Sequence, residues 1–415
     1  MAQKLQVALA VFGLGVLAIL AVELFARTAA VLYEQFVERH EWFERRAQSP
    51  AYSPSDQAEI LYREIRESIT QEYRPYVGWS SRPFKGTLVN INEDGDRATR
   101  YNSARDDSLK MWVFGGSTVW GFGAPDNETI PSYLAALLNA EWGVDTTVRN
   151  LGESAFVSTQ EVSRLILELQ RGRRPDVVVI YDGVNDAYAG TYSPGVPGAI
   201  QNQDQIGSRV EGLEIWGAWI RSLGIYRAAD FVLEKVGIES NVAHSEANSV
   251  ADLELQRRAI ETANIWLENY QVVAALGETY GFDVIMALQP NLFISGKPLQ
   301  PYESDILQEI ERNALVFAQG TRLAYSTIQE RLESEDYDRI YDFTGAFNDI
   351  PSSLYVDEVH VTGTGNRRLA EMLYSAIQSQ LCTNTPNHAS QHVISQITSV
   401  CTESSQNRLP SFFSL

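Results

Sequence analysis

The side chains best suited to covalent catalysis fall in four short stretches. Gly115-Gly116-Ser117-Thr118 follows an apolar run. Two glycines before a serine permit a tight strand-to-helix turn that lifts the hydroxyl clear of the backbone. Asn150-Leu151-Gly152-Glu153-Ser154-Ala155 and Asp182-Gly183-Val184-Asn185-Asp186 follow two more apolar runs. An asparagine amide or a backbone N–H at such a turn can donate to a developing oxyanion. Asp357-Glu358-Val359-His360 precedes Thr362-Gly363-Thr364-Gly365, and an aspartate three residues before a histidine can fold back and fix the imidazole tautomer. Among the 5 histidines, His360 alone falls at an expected strand-to-helix junction. Each stretch also has a plainer reading. Ser117 could cap a helix, Gly183–Asp186 could be an Asx-turn, and His360 could sit in a surface turn before a capped helix.

Those stretches need elements to hold them. From Lys110 onward, short apolar runs alternate with helical periodicity. The expected strands are Met111–Phe114, Thr146–Asn150, Val177–Tyr181, Val284–Leu288 and Arg339–Phe343, separated by amphipathic stretches such as Ile130–Ala140, Thr159–Gln170 and Ala259–Tyr280. Strands of four to six apolar residues, each followed by a helix, predict a parallel sheet covered on both faces. Sites in such sheets gather at the carboxyl ends of the strands, where the four stretches lie.

Taken together and in this order, the four blocks resemble those of the SGNH (GDSL-like) hydrolase family over about residues 110–381, in particular its membrane-anchored bacterial type. The resemblance implies a flavodoxin-like three-layer α/β sandwich around about five parallel strands, and acyl transfer without metal or other cofactor. It matches Ser117 to the nucleophile, His360 to the general base and Asp357 to its orienting acid. Asn185 matches the side-chain oxyanion donor, and the Ser117 N–H a second donor. The second block contributes Gly152 and Ala155. The family's oxyanion glycine falls on Ala155 here, where a positive φ would cost an alanine roughly 1 kcal/mol. The acidic residue of Gly-Asp-Ser is Gly116. The stretch is not a Gly-x-Ser-x-Gly elbow, because Val119 occupies the final position.

The 415 residues carry 33 basic and 53 acidic side chains, a net charge of -20, so no basic stripe for nucleic acid is expected. Hydrophobic residues at 44% are ample for a large core. No Cys-x-x-Cys or His/Cys cluster suggests zinc. Near the N-terminus, VALAVFGLGVLAILAV (Val7–Val22) holds no charge; residues 5–24 approach the length needed to cross a bilayer. A cleaved signal peptide is the competing reading.

The expected organisation is a transmembrane signal anchor at 1–27, juxtamembrane helices and a hairpin around Glu93–Gly95 at 28–108, a hydrolase domain at 109–381 and a polar tail at 382–415. Within the domain, an insertion at about 188–250 would lie over the strand ends. A single-pass anchor would place the domain on the extracytoplasmic, periplasmic side of the cell membrane. There Cys382 and Cys401 could pair. The expected activity is a serine esterase acting on an acylated extracytoplasmic glycan or similar ester. The alternatives are an O-acyltransferase using the same triad, or a membrane-anchored binding protein that retains the fold.

Overall fold

The computed structural model describes residues 39–53, 57–201, 252–384 and 389–406, with isolated positions at 14, 15, 21–23, 25, 203 and 206. Two compact units divide the chain, Met1–Arg45 with Asn202–Val250, and Arg46–Gln201 with Ala251–Leu415. The sheet and every candidate site residue belong to the second.

Two short antiparallel pairs come first: β1 (Gln71–Arg74) with β2 (Gly78–Ser81), and β3 (Phe84–Lys85) with β4 (Asn90–Ile91). The Glu93–Gly95 turn is present, closed by Asn92, but single bridges rather than a ladder flank it: Ile91 to Arg97, and Arg97 to Asn150. The longer hairpin lies upstream of it, in β1–β2.

The central sheet comprises β5 (Leu109–Gly115), β6 (Thr146–Gly152), β7 (Val177–Asp182), β8 (Asp283–Leu288) and β9 (Ile340–Asp342). All neighbours are parallel, in the order β6-β5-β7-β8-β9. Numbered within the sheet this is 2-1-3-4-5, the flavodoxin-like order, whose switch point lies between its first and third strands. The expected strands match these within one or two residues at each end.

Strand period dictates the layers. Met111 and Val113 of β5 face one apolar core with helices Ile130–Ala136 and Gly363–Thr383. Trp112 and Phe114 face the other, with Ser158–Gln170, Asp252–Tyr280 and Leu315–Ser334. Both faces are covered, which is why the strands read as continuous apolar runs rather than alternating ones.

Of the insertion expected at about 188–250, only the first part falls among the described residues. Helix Val184–Thr191 runs through Tyr188, and residues 207–250 lie outside the described residues. The polar tail, residues 382–415, is structured over part of its length, and the cysteine pair expected there is joined. Residues Gln391–Gln406 form a helix with Val393 and Ile397 fully buried, and Cys382 and Cys401 are disulfide-bonded. Apolar residues at helical spacing within a Ser/Thr/Gln-rich stretch are enough to dock it. The run 5–24 lies outside the described residues except for 14, 15 and 21–23, which are helical. No helix of the described residues is long and apolar enough to cross a membrane.

Candidate active site

Ser117 begins the four-residue helix Ser117–Trp120 directly after β5. Gly115 and Gly116 are demanded by neighbours. A Cβ on Gly115 would lie 2.5 Å from the Tyr181 carbonyl, and one on Gly116 only 2.3 Å from Asn185 Nδ2. The absence of a side chain at 116 is therefore what admits the Asn185 amide beside Ser117. As the first helical residue, Ser117 has an N–H with no intrahelical acceptor.

His360 reaches the serine from the far end of the sheet. Its Nε2 lies 2.7 Å from Ser117 Oγ. Its Nδ1 sits 2.9 Å from both Asp357 carboxylate oxygens. A carboxylate can only accept, so Nδ1 carries the proton and Nε2 is left to accept the serine hydroxyl. Asp357 Oδ1 also accepts the backbone N–H groups of Val359 and His360, at 3.0 and 2.7 Å. One carboxylate thus folds its own loop and orients the ring. Burial opposes the charge on Asp357, but His360, Arg46 and these hydrogen bonds outweigh it and hold the carboxyl well below the usual range. Glu303 anchors the loop from outside, accepting Leu354 and Tyr355 N–H while paired with Lys297 at 2.7 Å. The Phe122 ring packs against the imidazole with centroids 4.5 Å apart.

Asn185 enters from the end of β7, across the switch point. Gly183 has φ +135, and a Cβ there would meet Leu288 and Tyr325 at 2.8 Å, so only glycine fits. Asn185 Nδ2 donates to the Phe156 carbonyl at 2.7 Å. That acceptor fixes which end of the amide is nitrogen and leaves the second N–H of Nδ2 beside Gly116.

The second block divides into two roles. Ala155 adopts φ +63, the left-handed region normally left to glycine. Gly152, expected as an oxyanion donor, does something else: its N–H donates to Asn150 Oδ1 at 3.0 Å. A Cβ there would lie 2.2 Å from the Trp120 backbone nitrogen, so this glycine lets β6 approach the Ser117 helix. Ser117, Asn185, Ala155 and His360 are all partly exposed, amid largely buried neighbours.

Three groups escaped the sequence reading. Trp79 Nε1 donates to the Ser154 carbonyl at 2.9 Å, and buried Glu153 accepts Ser81 N–H and Oγ–H at 2.6 and 2.8 Å. Together these clamp the turn that carries Ala155 onto β2. Arg46 Nε donates to Asp357 Oδ2 at 2.9 Å. Trp79 and Arg46 lie in no local motif and Glu153, though inside the second block, had no role assigned there; each contact spans at least 72 residues.

No family model and no curated protein matches the chain. Among solved structures, a member of the lipolytic protein G-D-S-L family from Veillonella parvula DSM 2008 superposes with TM-score 0.34 at 11% identity, covering 65% of this chain and 97% of that one. The lipase Lip_vut3 from a goat rumen metagenome gives 0.36 at 13%, covering 65% and 97%. Axe2, an acetylxylan esterase from Geobacillus stearothermophilus, gives 0.31 at 16%, covering 67% and 96%. Superpositions this loose transfer neither activity nor substrate to this chain.

Proposed function

We propose that the chain is a serine esterase, and the observation that carries this reading is the Ser117 Oγ–His360 Nε2–Asp357 relay at 2.7 and 2.9 Å. Ser117 Oγ attacks an ester carbonyl while its proton passes to His360 Nε2. The resulting oxyanion lies against Asn185 Nδ2–H and the Ser117 and Ala155 N–H groups. On collapse, the proton on Nε2 goes to the departing alkoxide, leaving an acyl-Ser117. Water repeats the sequence: its proton moves to His360, its oxygen bonds the acyl carbon, and Ser117 leaves with the proton returned. Asp357 stays ionised throughout and stabilises the transient imidazolium.

The substrate class is an acylated extracytoplasmic glycan or similar ester, reached from an anchor formed by residues 5–24. The uncharged run Val7–Val22 supports the anchor. The Cys382–Cys401 disulfide supports an oxidising compartment. The experiment is hydrolysis of p-nitrophenyl acetate by the full-length chain. The reading expects turnover that disappears in Ser117→Ala with the fold intact; equal turnover in both would refute it.

A further inference from the structure

The Asp357 carboxylate is shared. Its Oδ2 accepts from His360 Nδ1 and from Arg46 Nε, both at 2.9 Å. The guanidinium is 11% exposed and the carboxylate 5%, so the pair is largely shielded from water and salt. Ester hydrolysis by a serine needs the aspartate to orient its histidine and stabilise the imidazolium; an arginine on the same oxygen is an addition.

Arg46 does not arrive alone. It is the second-last residue of helix Arg39–Ala47, and its carbonyl accepts Ser49 N–H as the chain turns. Tyr52 follows, donating to the Gly123 carbonyl at 2.7 Å and lying 3.1 Å from the Tyr62 hydroxyl. Tyr62 packs edge-on against Phe122, the ring that contacts His360. Residues 46–52 thus fasten to the loops on both sides of the imidazole, and in sequence they follow directly on the stretch joined to the apolar N-terminal run.

We propose that Arg46 is a positioning residue for the triad, which sets the basicity of His360 by taking part of the Asp357 negative charge that would otherwise stabilise the imidazolium. This inference rests on the esterase reading, because it assigns Arg46 a role in that same relay. With Arg46 in place the imidazole stays neutral, and Ser117 stays reactive, to lower pH. The connecting segment thereby becomes part of the active site, so cutting the chain after it would alter the pH response and not merely release the domain.

Two further titratable groups face the pair, Tyr62 and Glu358, and the Arg46 charge lowers both. Tyr62 is buried and its phenol stays neutral. Glu358 is pushed up by burial and by the Asp357 charge. Removing the guanidinium also lets Glu358 rise further, and a more protonated Glu358 would lower the imidazole midpoint, so an upward shift in Arg46→Gln reads the direct loss of the Arg46 charge.

The test uses the full-length chain as wild type, Arg46→Gln and Arg46→Lys. Two profiles are recorded against pH: the rate of fluorophosphonate labelling of Ser117, and the His360 imidazole titration by NMR, which needs no turnover. Arg46→Gln should raise the acid limb and the imidazole midpoint together, by about one pH unit, so labelling below both midpoints falls about tenfold while the alkaline plateau holds. Arg46→Lys, which keeps the charge, should stay close to wild type. Superimposable imidazole titrations in wild type and Arg46→Gln would overturn the proposal, as would a rate loss uniform across pH. If no chain labels at any pH, the esterase reading has failed, and the imidazole titration alone still decides for or against Arg46. Should Arg46→Gln misfold, Arg46→Lys decides: a midpoint displaced as far as expected for charge removal contradicts the electrostatic role, and an unmoved one supports it.

Discussion

Trp79 Nε1 donates to the Ser154 carbonyl at 2.9 Å, and the N–H of that same peptide belongs to Ala155. In a trans peptide the two groups point opposite ways. Holding the carbonyl from β2 therefore aims the Ala155 N–H away from the hairpin, and the added hydrogen bond polarises the peptide in the direction that strengthens its donor. Trp79→Phe keeps the ring that packs edge-on against Phe156 but removes the donor. We expect kcat on p-nitrophenyl acetate to fall about three- to tenfold, a fraction of what losing a whole oxyanion donor costs, with KM nearly unchanged. An equal rise in KM would assign Trp79 to substrate binding.

Asn185 offers a sharper comparison. Asn185→Ala deletes a donor, whereas Asn185→Asp puts an acceptor and a negative charge beside the oxyanion. Loss of one such donor typically costs about 10²–10³ in rate, and the aspartate should be at least as damaging. A residue serving only its turn would tolerate aspartate, which caps such turns equally well. Measuring kcat of both variants at saturating ester separates the two, and a near-silent Asn185→Asp would remove Asn185 from the oxyanion site.

The sheet was legible in the sequence because buried parallel strands betray themselves as apolar runs, and the chemistry sits where those runs end. Ser117 and Asn185 each lie within a few residues of a strand end whose glycines are visible locally, whereas Asp357 and His360 lie in a loop well past the end of β9 and are marked by their own three-residue spacing. Gly152 misled because a glycine beside a candidate site can serve packing as readily as hydrogen bonding, and only the 2.2 Å approach of the Trp120 nitrogen decides which. Arg46 and Trp79 were invisible for a different reason. Their partners Asp357 and Ser154 are 311 and 75 positions away, and no periodicity or spacing rule connects residues across that distance. The docked C-terminal helix was missed because composition averaged away the spacing of Val393 and Ile397.

Behind the Asn185 turn lies a buried carboxyl cluster of Glu161, Asp182 and Asp186. Asp186 accepts Ser158 N–H and Oγ–H at 3.0 and 2.6 Å. Burial beside one another disfavours the charged forms of Glu161 and Asp182 and pushes both carboxyls up. Burial first, then the Asp186 charge, pushes Glu161 well above the usual carboxyl range. A raised folded value means the native state binds more protons than the unfolded chain. Stability is therefore full below the unfolded value, about 4.3, and declines as pH rises above it. Glu161→Gln keeps the shape without the titration. Its stability relative to wild type, by urea denaturation, should grow steadily from about pH 5 to pH 8. A constant difference across that range would show that folding does not raise the Glu161 carboxyl above its unfolded value.

Ala155 carries a cost that a glycine would not. At φ +63, Ala155→Gly should relieve roughly 1 kcal/mol of backbone strain, partly offset by the greater freedom of glycine in the unfolded chain. The N–H survives the change, so kcat should stay within about twofold while thermal stability holds or rises slightly. A large fall in kcat would mean that the methyl group, not the N–H, is what position 155 contributes.

The central claim is that Ser117 is a nucleophile activated by His360, and covalent trapping tests it most directly. Full-length chain treated with a fluorophosphonate probe should gain one adduct by intact mass, mapped by peptide sequencing to Ser117. The adduct should be absent in Ser117→Ala, and its formation should slow by at least about 10³-fold in His360→Ala. An adduct on another residue, or none on a folded wild-type chain, or undiminished labelling without His360, would contradict it.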